Sequence, residues 1–455
     1  MKLKKIRAII LAIMMLSMVG LAYADGEAEL TNGEIGGFTS ADSPVVQSKS
    51  IKIAKEITAY NVDEETIQAP TISYTYTITA GEPGKSITDS ATDHNPAAAL
   101  TRTTLMGVTD KVSMSNNGII AWTTGDTLNA APEGAANYKY LTIDFSKVVF
   151  RKPGIYRYVI NEALTSGSYA QSGVTENSVA TNPVTHTHTR YLDVYVKRSD
   201  NYTNGSSEND WDIYGYVCMI DNEDITPDGD TTTKGAVKTN GFTSTTNDGT
   251  ATSADSYYTF NVTVSKNLTG DAYSNGHQFP IHVDFTNSVV TNNTLLLAKT
   301  NGNVTDYTHN AAPASNLDGL AKIATGGSIK YIGIPCGTAV TVYETNDVIG
   351  TTYEATLTVD DTAGTTKAII DTSTPSAFSA YSEHVYNSLT GTVSTTANQN
   401  DKTTGYHTIT ISNEFTVISP TGYISRFAPY ALLLAGGIVL LVISRKHKKS
   451  DSEDE

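Results

Sequence analysis

Residues 73–78 read Ser-Tyr-Thr-Tyr-Thr-Ile, so that Tyr74, Tyr76 and Ile78 share one face of an extended chain and Ser73, Thr75 and Thr77 the other. Side chains alternate across a strand with period two, and this pattern therefore specifies a half-buried strand. The alternation returns in Tyr191-Leu192-Asp193-Val194-Tyr195-Val196 and in Phe260-Asn261-Val262-Thr263-Val264, with turn residues bounding the runs. No amphipathic helical pattern competes with it. The expected class is all-β, with tandem β-sandwich domains as the architecture.

Composition marks the divisions. Residues 1–24 place Lys2, Lys4, Lys5 and Arg7 before an apolar run ending on Ala22-Tyr23-Ala24, the three-part secretory signal with cleavage after Ala24. Residues 25–47 are polar and glycine-rich and read as flexible. Strand-rich blocks follow over 48–225 and 257–415, and residues 226–256 between them, poor in bulky side chains, read as a linker with room for a short strand. Residues 427–444 are almost wholly apolar; as a helix rising ~1.5 Å per residue they would barely cross the ~30 Å hydrocarbon layer. The tail 445–455 opens with Arg445, Lys446, Lys448 and Lys449, which by the positive-inside tendency stay cytoplasmic. The bulk of the chain is thus expected outside the membrane, which holds it as a transient tether.

The formal net charge is −16, and trimming both ends removes more basic than acidic residues. Such a surface argues against nucleic acid or anionic lipid as a partner. Only two cysteines occur, Cys218 and Cys336, few for an exported chain of 455 residues. Either no covalent reinforcement is needed or it is of another kind. Cys218 reads as an inert core thiol. His186 and His188 in THTHT share a strand face, but without a cysteine or firm carboxylate beside them no metal site is assigned. Asp221, Asp224, Asp228 and Asp230 lack the EF-hand spacing. No Ser-His-Asp arrangement, phosphate-binding glycine loop or HExxH motif occurs, so neither a cofactor nor an enzyme acting on external substrates is expected.

Six polar residues fall where the pattern calls for apolar ones. Ile51, Ile53 and Ile57 share a face with Lys55, and Phe260, Val262 and Val264 run in step to Lys266. Tyr156, Tyr158 and Ile160 lead to Glu162, while Val340 and Val342 lead to Glu344. Cys218 and Ile220 precede Asn222, and Ile409 and Ile411 precede Asn413. Each could mark a strand end meeting solvent, or each Lys–Glu pair a buried salt bridge of little net worth. The repetition of Lys, Glu, Asn in both blocks favours chemistry. Desolvation would lower the lysine pKa and raise that of the glutamate, giving a neutral amine and a neutral acid. The acid could then hydrogen-bond the carboxamide and relay protons as ammonia departs, leaving a Lys–Asn isopeptide bond.

The segments IKIAK, DFSKVVFRKPGIYRYVINE and MIDN, then VTVSKNLTG, IPCGTAVTVYE and ITISNEF, resemble the major pilins of streptococcal pili and their relatives with isopeptide-linkage domains. The resemblance implies Ig-like, CnaB-like domains in which the first-strand lysine bonds the last-strand asparagine, with a glutamate as internal catalyst. It assigns Lys55, Glu162 and Asn222 to the first block and Lys266, Glu344 and Asn413 to the second.

Ile-Ser-Pro-Thr-Gly at 418–422, followed by an apolar span and a basic tail, resembles the cell-wall sorting signals of Gram-positive surface proteins. On that resemblance a sortase recognises Pro420-Thr421-Gly422, cleaves after Thr421 and joins it to peptidoglycan or to a neighbouring pilin subunit. The polymerising relatives carry an acceptor lysine late in the first domain. The corresponding Tyr214-Gly215-Tyr216-Val217 has none, leaving Lys197, Lys234 and Lys238, all read as surface lysines. The sequence thus leads to a pilus shaft subunit on a Gram-positive cell surface, with a monomeric wall-anchored adhesin for a host or environmental ligand as the second reading.

Overall fold

A computed structural model of the chain describes residues 28–30, 34–36, 45–61, 66–89, 100–166, 169–176, 188–220, 237–244, 254–270, 278–286, 297–311, 316–335, 339–344, 352–359, 362–371, 384–385, 406–414 and 432–443. The long strands of the first block are β1 (Ser50–Tyr60), β2 (Ile72–Ala80), β3 (Ala135–Asp144), β4 (Gly154–Ser166), β5 (Thr189–Arg198) and β6 (Trp211–Met219). β1 and β3 pair antiparallel in one sheet, and β6, β5, β4 and β2 form the other in that order. Between them lies one core. Ile51, Ile53 and Ile57 of β1 meet Tyr74 and Tyr76 of β2, Tyr158 and Ile160 of β4, Leu192 and Val194 of β5, and Ile213 and Cys218 of β6. The isoleucine, leucine and valine side chains among them, fully buried, each contribute ~1.5–3 kcal/mol of transfer free energy. The period-two pattern of SYTYTI thus sets the face that β2 turns inward.

The second block is built from β7 (Asp255–Thr269), β8 (Gln278–Thr286), β9 (Asn316–Ala324), β10 (Ser328–Pro335), β11 (Ala339–Glu344), β12 (Thr352–Val359), β13 (Thr362–Asp371) and β14 (Tyr406–Glu414). One sheet holds β13, β12, β14, β7 and β10; the other holds β9, β8 and β11. Phe260, Val262 and Val264 are fully buried, as are Ile281, Val283, Ile409 and Ile411. Rings from the two sheets, Phe285 and Tyr331, meet edge-on at 5.1 Å.

One strand belongs to both blocks. The first residues of β7 pair in parallel with β1, Asp255 opposite Ile57 and Tyr258 opposite Tyr60, and the remainder pairs in parallel with β14. The lysine-bearing sheets thereby join into one 12-stranded sheet. Tyr257 lies in the first core, whereas Phe260, Val262 and Val264, on the opposite parity, are buried in the second block. The seam is tightly made. Asn61 and Asn261 exchange amide hydrogen bonds of 2.8 Å in both directions, Tyr60 stacks on Tyr258, and Gly333 donates its N–H to Asn261.

Two segments outside the strand-rich blocks also pair with strands of the first block. Within 25–47, Ala28–Glu29 pairs with β1 and Glu34–Gly36 with β6, because both strands offer open edges and Leu30 is buried in the first core. Within 226–256, Gly241–Phe242 pairs with β1, Phe242 enters the core, and Asp255 already belongs to β7. Ser244 closes this return by donating its N–H and hydroxyl to the buried Glu56 carboxylate. Of the span 427–444, a helix is described over 432–443, and among the described residues no helix is long and apolar enough to cross a membrane. The signal-cleavage residues Ala22 and Ala24, and the sorting residues Pro420, Thr421 and Gly422, lie outside the described residues.

Candidate functional site

In the second block, three elements converge on one dry point. β7 brings Lys266, β11 brings Glu344, and β14 brings Asn413; Lys266 is 2% exposed and the other two 0%. Lys266 Nζ donates to Glu344 Oε2 at 2.6 Å, and Asn413 Nδ2 donates to Glu344 Oε1 at 2.8 Å. The carboxylate thus holds amine and amide side by side. Their placement follows from register: β7 and β14 are parallel, with Lys266 opposite Ile411 and Leu268 opposite Asn413. Asn413 therefore sits one inward-facing step ahead of the lysine. Its carbonyl oxygen, buried, has no hydrogen-bond partner among the described residues. The ammonium lies 4.3 Å above the Phe279 ring. Burial pushes the Lys266 pKa down to about 8, against the opposing pull of Glu344.

The first block repeats the plan with a different third group. Lys55 on β1 is 1% exposed and donates to Glu162 Oε1 on β4 at 3.0 Å. Asn222, the expected acceptor, lies outside the described residues. The group beside the amine is Asp255, whose Oδ2 stands 2.9 Å from Lys55 Nζ. Tyr74 donates its hydroxyl to the same Oδ2 at 2.5 Å, and Tyr76 donates to Glu162 Oε2 at 2.5 Å. The ammonium lies 4.3 Å above the Tyr74 ring. On the solvent side, His188 bridges two acids: Nδ1 is 3.3 Å from Glu162 Oε1 and Nε2 is 2.5 Å from Glu176 Oε1.

Electrostatics divide the two sites. Burial alone would lower the Lys55 pKa, but Glu162 and Asp255 outweigh it, and the lysine is held above its ordinary value. Burial would raise Glu162; the Lys55 charge, with hydrogen bonds from His188 and Tyr76, instead holds it below the usual carboxylate value. Asp255 goes the other way, raised by burial beyond what Lys55 offsets. The expected lowering of the lysine thus occurs at Lys266 and is reversed at Lys55, where two acids face one ammonium.

Asp255, Tyr74, Tyr76, His188 and Glu176 were not legible as site members. The tyrosines stood in plain view as inward residues of β2; their hydroxyls gave no signal because nothing in the sequence fixes what a strand faces. His188 serves the carboxylate bridge, and His186 lies outside the described residues. Among the described residues no cluster of three or more His, Cys, Asp or Glu suits a metal ion. Cys218 is fully buried with its thiol pushed up to about 12 by burial, and Cys336 lies outside the described residues. Lys238 is not the solvated lysine expected: it is mostly buried and pairs with Glu34 at 2.5 Å. Lys234 lies outside the described residues, and Lys197 is half-buried on β5.

No family model matches the chain, and no curated protein matches it. Solved structures do. The major pilin protein T3.2 of Streptococcus pyogenes serotype GAS13637 is similar at 16% identity over 81% of this chain and 99% of that one, with a TM-score of 0.33. Another Streptococcus pyogenes major pilin matches at 15% identity over 82% of this chain and 100% of its own, with a TM-score of 0.33. A pilus-presented adhesin matches at 14% identity over 52% of this chain and 39% of its own, with a TM-score of 0.21.

Proposed function

We propose that the chain is a structural protein of the Gram-positive cell surface, a pilus shaft subunit whose domains are closed by autocatalytic intramolecular isopeptide bonds. The observation that carries the reading is the Lys266–Glu344–Asn413 triad, where an amine and a carboxamide on adjacent parallel strands share one buried carboxylate. Glu344 takes a proton from the Lys266 ammonium, the freed amine attacks Asn413 Cγ, and the Cγ–Nδ2 bond breaks; two of the three ammonium protons, relayed by Glu344, leave with Nδ2 as an ammonium ion. Hydrogen bonds from both groups to one carboxylate in a dry site support the proximity that such a step needs. The reaction is self-directed and occurs once per site. Lys55 and Glu162 supply the same amine and relay in the first block.

The bond joins β7, the first strand of the second block, to β14, its last. Tension entering along one and leaving along the other then bypasses the rest of the sandwich, which serves a protein that must bear force without disulfides. Secretion through the signal at Ala22–Ala24 and sortase attachment through Thr421 belong to the same proposal. So does joining to neighbouring subunits or peptidoglycan. It is tested on cell-wall extracts: a ladder of covalent high-mass species that collapses on Thr421→Ala supports the shaft subunit. A single wall-linked species indicates the monomeric adhesin.

A further inference from the structure

We infer that the acceptor in the first block is Asp255, so that this domain closes by a Lys55–Asp255 isopeptide bond formed with loss of water, a chemistry different from that of the second block. The inference rests on the cross-linking reading above and names the partner at its first site.

Register carries it. In the second block the acceptor Asn413 lies opposite Leu268, two residues beyond Lys266 on a parallel neighbour strand. In the first block Asp255 lies opposite Ile57, two residues beyond Lys55, again on a parallel neighbour. The surrounding groups match position by position. Glu344 pairs with Ile281 across an antiparallel neighbour, two residues beyond the Phe279 that stacks under Lys266. Glu162 pairs with Tyr76, two residues beyond the Tyr74 that stacks under Lys55. Lysine, relay acid, stacking ring and acceptor thus occupy one geometry twice, and in the first copy the acceptor is a carboxyl. Asp255 is itself buried, with Oδ2 2.9 Å from Lys55 Nζ and 2.5 Å from the Tyr74 hydroxyl.

The step balances. Lys55 Nζ forms a bond to Asp255 Cγ, one Cγ–O bond breaks, and two of the three ammonium protons leave with that oxygen as water. Glu162 Oε1 receives and returns the first proton, and Tyr74 donates a hydrogen bond to the oxygen positioned to depart. One strand then bears both linkages: β7 is bonded to β1 through Asp255 and to β14 through Lys266. A covalent path runs from the first block into the second without crossing either core.

Peptide mapping of the full chain by mass spectrometry tests this. The expected result is a Lys55 peptide joined to the Asp255 peptide, lighter than their sum by one water, beside a Lys266–Asn413 pair lighter by one ammonia. Asn222→Ala should leave both pairs intact, and Asp255→Asn should give the same first linkage with ammonia as the loss. A Lys55 peptide joined to Asn222 would overturn the Asp255 assignment while leaving the cross-linking reading standing. A free Lys55 peptide alongside a linked Lys266 peptide would overturn any bond in the first block. Both lysine peptides free would defeat the broader reading instead. Because the wild-type chain carries the primary result, a variant that fails to fold does not obscure it.

Discussion

Asp255 and Asn413 occupy equivalent positions in the two blocks, each facing a residue two places beyond a buried lysine on a parallel strand. Each sandwich therefore sets a side chain beside its buried lysine at the same register position. What differs is the charge at that place: an ammonium between two acids in one, and an ammonium with one acid and an amide in the other.

Removing the second bond should cost stability in two separable ways. Asn413→Ala prevents linkage but leaves the Lys266–Glu344 pair, and should destabilise the second block by about 4–5 kcal/mol, the loop-closure value for a link spanning on the order of 100 residues. Glu344→Ala also strands a buried ammonium, adding ~3–5 kcal/mol. Denaturant titration should order them wild type, then Asn413→Ala, then Glu344→Ala. Equal midpoints for all three would remove the bond from the account.

The Lys266 pKa, about 8 against an ordinary 10.5, gives a pH dependence of definite sign. In Asn413→Ala, where the lysine stays free, the unfolded chain binds more protons than the folded one between those values. Stability should therefore rise with pH across that window and be unaffected by this group below it. In wild type, the rate of linkage on folding should increase as pH passes through about 8, because the neutral amine is the nucleophile. A melting series on the variant and a quenched time course on the wild type read these effects.

His188 should act in the opposite direction. Its pKa is raised, first by the hydrogen bond to Glu162 and then by that to Glu176, burial opposing. Its stabilising contribution is thus complete below its ordinary value of 6.5 and fades as pH climbs through the raised one. His188→Ala should lower the melting temperature at mildly acidic pH and change it little at alkaline pH. A pH-independent difference would assign His188 a packing role only.

These sites were half visible in the sequence. Lys55, Lys266, Glu162, Glu344 and Asn413 announced themselves because each breaks an apolar face, and period two is all that such an argument needs. Asp255 was hidden by its surroundings: it ends a stretch poor in bulky residues, and its inward partner Tyr257 has the parity opposite to Phe260, Val262 and Val264. A strand that turns one face to one core and the other face to the next looks like a boundary when only one parity is followed. The cue was present in Asp255-Ser256-Tyr257, which runs into the strand with no turn residue between. The return of residues 238–244 onto β1 had no comparable cue, since it depends on Phe242 and on a Glu56–Ser244 contact that joins distant parts of the chain.

The seam between the blocks should behave as a rigid joint. Gly333 has φ +76°, and a Cβ there would stand 2.8 Å from Ile67 Cβ. Gly333→Ala should cost at least ~1–2 kcal/mol from the left-handed backbone alone, with the clash in addition. Limited proteolysis should then cut near the Asn61–Asn261 amide pair, where wild type resists. Unchanged protection would mean that the shared strand β7, rather than side-chain packing, holds the joint.

Whether the second block is cross-linked is read from the mass of the peptide pair containing Lys266 and Asn413. One joined species is expected, lighter than the sum of its parts by one ammonia, that separates into two unmodified peptides in Glu344→Ala. Two free peptides at full mass from the folded wild-type chain would contradict it.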